Sequence, residues 1–110
     1  MYTHKESARF IKTRVVGVSF NNRQGIVSNL QPGEKVLLVR EPENQFDPHA
    51  VKVTRQDGQQ FGYLDRYLAA RISPQLDHYG KPIKAIVASL TGGFYRDSNF
   101  GVIVEFDLPE

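Results

Sequence analysis

Between Ala50 and Leu64 the chain alternates Val51 and Val53 against Lys52 and Thr54, breaks at Asp57-Gly58, and resumes as Gln60-Phe61-Gly62-Tyr63-Leu64. That pattern specifies a β-hairpin, with Asp57-Gly58 as the positive-φ pair of a type I′ turn. A two-stranded hairpin does not stand alone in water, so the rest of the chain must add strands to it. With 110 residues there is room for one domain around one core.

Further strand signals lie on both sides. Phe10, Val15, Val16, Val18 and Phe20 define a long first strand over Arg9 to Phe20, interrupted at Gly17 by a bulge or close approach. Asn21 to Gly25 is turn material, Ile26 to Leu30 is predicted to form one helical turn, and Gln31-Pro32-Gly33-Glu34 closes a tight reversal. Lys35 to Arg40 is a central strand whose run Val36-Leu37-Leu38-Val39 predicts burial on both faces. Glu41 to Pro48 carries two prolines and no hydrophobic period, so it connects strands. Asp65 is placed to cap a helix, with Leu64, Leu68, Ala69, Ile72 and Leu76 at helical spacing; Ser73-Pro74 reads as a second cap, predicting two short helices that meet at Ser73 and end at Gly80. Ile83 to Thr91 and Phe100 to Phe106 alternate as the last two strands, separated by a loop from Gly92 to Asn99 with Phe94, Tyr95 and Arg96 at its tip. About six antiparallel strands with two short helices make the chain mainly β, a partly open barrel of OB-like character.

Composition narrows the possible functions. Hydrophobic residues are 40% and charged residues 24%, ordinary for a folded globular chain. With no cysteine, disulfides, thiolate zinc sites and cysteine nucleophiles are excluded. No apolar run is long enough to span a membrane, and the leader MYTHKESARF lacks a signal-peptide core, so a cytoplasmic location is expected. The net charge of +2 is too small to argue for nucleic acid by itself. Its distribution is uneven: residues 1 to 23 hold Lys5, Arg9, Lys12, Arg14 and Arg23 against Glu6 alone, a local basic stripe whose first eight residues read as a flexible leader.

Three pieces carry a family likeness: Val15-Val16-Gly17-Val18; Gly33-Glu34-Lys35-Val36 continuing through Arg40-Glu41-Pro42-Glu43-Asn44-Gln45-Phe46-Asp47-Pro48-His49-Ala50-Val51-Lys52-Val53; and Asp57-Gly58 with Phe61-Gly62-Tyr63-Leu64. The chain resembles the HIRAN domain family from about residue 12 to residue 107, and the central run is the specific part. The resemblance implies an OB-like β-barrel with two helices. In fork-remodelling helicases that domain captures the free 3′ end of single-stranded DNA, and this chain looks like the stand-alone bacterial kind. No Gly-rich phosphate loop and no RING zinc ligands are present, so helicase and ubiquitin-ligase activities do not carry over.

On that resemblance, Arg14, Asn44, Phe46, Asp47, Lys52, Tyr63, Arg66 and Phe100 are the candidate DNA-binding residues. Asp47 has two readings. A carboxylate repels phosphate but accepts from a terminal 3′-hydroxyl, which would select strand ends; it also caps loops. Phe46 and Tyr63 are either base platforms or core, and Asn44 bonds either a base edge or its own loop. Arg14, Lys52 and Arg66 are phosphate contacts or solvated charges, and Phe100 flanks a loop that can lay a ring on a base. Arg40 is read as an ion-pair partner that holds the Glu41–Pro48 loop. Glu43 departs from family members with Asn there, and its charge favours the alternative, a protein-interaction adaptor without DNA affinity.

Catalytic patterns are absent from the sequence. His4, His49 and His78 are scattered, a metal site would have to combine Asp47 and His49 with something remote, and no serine sits in a nucleophile elbow. A metal-dependent nuclease is therefore the least supported class. The expectation is a non-catalytic module without cofactors, with single-stranded DNA and other replication or repair proteins as partners and no membrane contact.

Overall fold

The computed structural model describes residues 9–93 and 99–109. The predicted leader and the loop tip at Phe94, Tyr95 and Arg96 lie outside the described residues. Six strands and two helices follow in the order β1 (Phe10–Arg14), α1 (Gln24–Val27), β2 (Lys35–Arg40), β3 (Val51–Arg55), β4 (Gln60–Tyr63), α2 (Arg66–Tyr79), β5 (Ile83–Gly92) and β6 (Phe100–Asp107). All pair antiparallel in one sheet of order β1-β6-β5-β2-β3-β4. The sheet curls until its two ends meet. Just past β1, Val16 exchanges both backbone hydrogen bonds with Tyr63 of β4, N–H to O at 2.8 and 2.9 Å. One bridge thus joins the sheet ends into the expected half-barrel.

Gly62 permits that closure. A Cβ there would stand 2.7 Å from the Val16 carbonyl oxygen and closer still to the Val15 side chain, so only glycine lets the two backbones approach. Inside the curl Phe61, Val36, Leu38, Val53, Val87, Val102 and Val104 form a sealed core with Val27 and Leu30.

The structure corrects several local expectations. The first strand stops at Arg14, because Gly17 turns to φ +75° and the chain coils back, Phe20 N–H reaching Gly17 O at 3.3 Å. Helix α1 begins at Gln24, two residues early, because the Gln24 amide anchors it: Nε2 donates to Val18 O and Phe100 O, and Oε1 accepts from Phe100 N–H at 2.8 Å. Burial of β2 is one-sided. Val36 and Leu38 are sealed while Leu37 and Val39 are half-buried, as in an antiparallel sheet with helical cover on one face. The hairpin turn is not type I′. Gly58 has φ +94°, but Asp57 remains at negative φ with its carboxylate accepting from Gln59 N–H, giving a three-residue loop.

Between Asp65 and Gly80 there is one helix, not two meeting at Ser73. Asp65 caps it as expected, accepting from the N–H groups of Tyr67 and Leu68 at 3.0 and 3.1 Å, and Gly80 ends it at φ +81°. Pro74 is tolerated inside because the Ser73 hydroxyl donates to Ala70 O, the carbonyl that a Pro74 N–H would have served. Ala69, Ile72, Ser73 and Leu76 face the core at spacings of three and four, and α2 packs against β2.

Candidate functional site

The loop after β2 is built by one side chain. Asn44 Oδ1 accepts from the N–H groups of Phe46 and Asp47 at 2.9 and 3.0 Å, while its Nδ2 donates to Glu41 Oε1 at 3.0 Å and lies 3.5 Å from the Tyr63 hydroxyl. All four of its bonding positions are taken inside the protein. Asn44 therefore serves its own loop. Asp47 continues the turn, its Oδ1 accepting from His49 N–H at 2.9 Å. Its Oδ2 takes no hydrogen bond among the described residues, so the carboxylate caps the loop and keeps one oxygen available.

This bracing forces Phe46 outward. Its ring is 96% exposed, which removes the core reading. Two adjoining grooves share Asn44, Phe46 and Tyr63. One, of about 490 Å³, is completed by Arg40, Glu41 and Glu43 among others. The second, of about 300 Å³, is completed by Val16, Asp47, Ala50, Leu64 and Arg66. Asn44, Phe46, Asp47, Tyr63 and Arg66, five of the eight candidates, thus meet at one place, the mouth of the half-barrel beside the Val16–Tyr63 bridge.

Lys52 joins the same cluster indirectly. Its Nζ lies 3.7 Å from Glu41 Oε2, and the Tyr63 hydroxyl donates to Glu41 Oε1 at 2.8 Å. Arg14 and Phe100 line neither groove. Arg14 is exposed on β1 with its guanidinium over Gly101, and Phe100 is packed partly into the core with its ring against Gly93.

Glu41 is the hub that the sequence reading missed. Burial, the strongest single influence, pushes its carboxyl up, but the bonds from Asn44 and Tyr63 and the Lys52 charge outweigh it and hold the group below the ordinary glutamate value. A carboxylate held low in the folded state stabilises fully above its unfolded value, about 4.3, and that contribution is lost as pH falls through the lower folded value. Melting temperature measured across the acid range is therefore expected to fall less steeply for Glu41→Gln than for the unaltered protein. Parallel curves would remove Glu41 from the acid response.

Arg40 does tie the loop down, by a route the sequence did not show. Its Nη1 donates to Ala50 O at 3.0 Å, and its Nε and Nη2 reach both oxygens of Asp77 on α2. Hydrogen bonding from Arg40 holds the Asp77 carboxyl below its usual range. His49 Nδ1 lies 3.1 Å from the Ser73 hydroxyl, a second tether between this loop and α2. The sequence places Arg23 in the basic stripe and Phe20 in the first strand; in the fold the Arg23 guanidinium lies 5.5 Å from the Tyr63 ring centroid, and Phe20 is 66% exposed in the turn before it. Asn21-Asn22 directly after Phe20 was the available signal, since a turn there takes Phe20 out of a strand. Among the described residues no three His, Asp or Glu side chains gather to hold a metal ion.

A small curled antiparallel barrel, with an exposed aromatic and paired charges at its mouth, defines a binding module of OB-like type. The model of the HIRAN domain matches residues 9–105, and the chain belongs to the HIRAN domain family. Among its relatives, the Fanconi-associated nuclease 1 homolog of Arabidopsis thaliana is 30% identical over 86 residues, 78% of this chain and 9% of that protein. The helicase-like transcription factor of Oryctolagus cuniculus is 36% identical over 77 residues, 70% of this chain and 7% of that protein. The chain therefore spans less than a tenth of either. The crystal structure of the HIRAN domain of human HLTF superposes with a TM-score of 0.61 at 23% identity, over 89% of this chain and 76% of that one. A protein from Lactobacillus plantarum superposes with a TM-score of 0.63 at 23% identity, over 89% and 98%. Both share the fold.

Proposed function

We propose that the chain is a non-catalytic nucleic-acid-binding module that captures the 3′-hydroxyl end of single-stranded DNA in replication or repair. The observation that carries this reading is Phe46, a fully presented ring at the lip of a groove whose walls also offer Tyr63, Arg66 and one open oxygen of Asp47. A strand stacks its last base on the ring, directs its terminal hydroxyl to Asp47 Oδ2 and lays its backbone toward the cations. The relatives' names, a nuclease and a helicase-like factor, belong to proteins that work on nucleic-acid strands; a shared module supports strand binding, not their activities.

End selection rests on repulsion. A phosphate placed where the hydroxyl meets Asp47 is expected to weaken binding at least about tenfold, ~1.4 kcal/mol, while a 5′-phosphate changes little. Asp47→Asn is expected to lose that discrimination and keep its fold, because an amide oxygen still accepts from His49 N–H. The deciding titration compares four oligonucleotides: single-stranded with a 3′-hydroxyl, the same with a 3′-phosphate, duplex, and RNA. Equal affinity for both 3′ ends removes the end-recognition claim.

Few cations face the strand, and at about 0.7 counterion released per contact log K is expected to fall against log salt with a shallow slope, about −2. A slope steeper than about −4 would bring Lys5, Arg9, Lys12 and Arg14 of the basic stripe onto the DNA as well. The second reading, a protein-interaction adaptor, is favoured by the acidic share of the groove walls, Glu41, Glu43 and Asp47. Absence of binding to all four oligonucleotides selects it.

A further inference from the structure

Arg23 is held in an unusual way for a half-buried cation. Its Nη1 donates to Gly17 O at 2.9 Å, and its guanidinium lies over the Tyr63 ring at 5.5 Å. Both partners are neutral. Elsewhere the chain sets such cations against carboxylates: Arg40 on Asp77 and Arg55 on Glu34, each at 2.8 Å, and Lys52 near Glu41 at 3.7 Å. Arg23 forms no ion pair among the described residues, so its charge stays uncompensated and most of its five N–H donors remain unused.

The local backbone is shaped around this guanidinium. Gly17 at φ +75° turns its carbonyl to Nη1, and a Cβ at Gly17 would come within 3.1 Å of that nitrogen. Pinned by a carbonyl and laid on a ring, the planar fork is pre-ordered before any ligand arrives. A weakly hydrated, delocalised, unpaired guanidinium is the group that takes a phosphodiester with two parallel hydrogen bonds. Arg23 itself lines neither groove; Tyr63 connects it to them, because the ring under Arg23 lines both grooves with Phe46, and one of them with Asp47.

We infer that Arg23 clamps the first internucleotide phosphate, the linkage immediately 5′ to the terminal nucleotide, an inference that rests on the strand-end reading above. The terminal sugar sits at Asp47, where negative charge is refused, and the next charge along the strand is received one nucleotide back by the cation on the Tyr63 ring. Refusal and acceptance on opposite sides of one nucleotide would set the register of the strand.

The test replaces each phosphodiester in turn, counted from the 3′ end, with a neutral methylphosphonate, and titrates each oligonucleotide against the unaltered protein, Arg23→Gln and Arg23→Lys. In the unaltered protein, neutralising the first linkage is expected to weaken binding about tenfold. Arg23→Gln should already bind the all-phosphate strand about tenfold more weakly, show no further loss at that linkage, and have a salt slope shallower by about 0.7. Arg23→Lys should recover the slope and only part of the affinity, since it keeps the charge without the fork. Should Arg23→Gln melt early, Arg23→Lys carries the comparison: a smaller penalty at the first linkage supports the clamp, and an undiminished one overturns it. Identical penalties at every linkage in the unaltered protein and Arg23→Gln overturn the clamp while leaving strand-end binding in place. If the unaltered protein binds no strand, both fall.

Discussion

Gly62→Ala is expected to destabilise the fold by about 2 to 5 kcal/mol, out of a total that for a domain of this size is about 5 to 15. The new methyl group would meet the Val16 carbonyl oxygen at 2.7 Å and the Val15 side chain more closely, with Val18 Cγ1 at 3.3 Å beyond. Two of these contacts are to backbone or sealed core and have no room to give. Relief must come from separating Val16 from Tyr63, which breaks two backbone hydrogen bonds of 2.8 and 2.9 Å. That pair is what joins the ends of the sheet, so the damage reaches the groove at the barrel mouth as well as stability. Denaturant titration measures the loss, and hydrogen exchange at the Val16 and Tyr63 amides locates it. A Gly62→Ala protein as stable as its parent, with both amides still protected, would show that the closure tolerates a Cβ and that the steric account is wrong.

Phe46→Ala is expected to do the reverse. Binding to a strand with a 3′-hydroxyl should fall by about 1 to 3 kcal/mol while the melting temperature stays unchanged. A phenylalanine in a core loses about 3 to 5 kcal/mol of folding stability on truncation to alanine, through lost transfer energy and the cavity left behind. Phe61, fully buried, should behave that way; Phe46, with 96% of its surface in solvent, has neither term to lose. The same substitution at two phenylalanines fifteen positions apart thus separates packing from presentation within one protein. Phe46→Tyr keeps the ring and should bind as well as the parent. Unchanged affinity in Phe46→Ala would sink the base-platform assignment.

Much of this was legible in the chain itself. The alternation at Val51 and Val53, the cap at Asp65, the stop at Gly80 and the strand Lys35 to Arg40 are local facts, set by side-chain period, by a short carboxylate beside free N–H groups and by glycine's access to positive φ. Phe46 stayed open between platform and core in the sequence; the missing hydrophobic period in its proline-flanked loop was the one local sign of exposure, and the fold decided it. The family likeness of the central run and of the Gly62-Tyr63-Leu64 step likewise marked Asn44, Phe46, Asp47 and Tyr63.

What the sequence misjudged depended on partners far along the chain. Ser73-Pro74 looked like a helix break because the sequence does not show that the Ser73 hydroxyl takes up the Ala70 carbonyl. The first strand looked long because its end is set by Gly17 bending toward Arg23 and by Gln24 reaching Phe100, 76 positions away. Glu41 read as one more loop acid, yet Asn44, Lys52 and Tyr63 converge on it only when β3 and β4 are folded beside the loop. Arg14 and Lys52 looked alike as strand cations. Tertiary register sends one to the outer surface over Gly101 and the other to the Glu41 hub. Secondary structure and the identity of the presenting loop were thus written in short-range patterns, because φ, side-chain period and capping act over a few residues. The closure through Gly62, the charge pairing at the mouth and the seating of Arg23 on the Tyr63 ring were decided only by the fold, because each depends on the distance between segments that the chain does not connect locally.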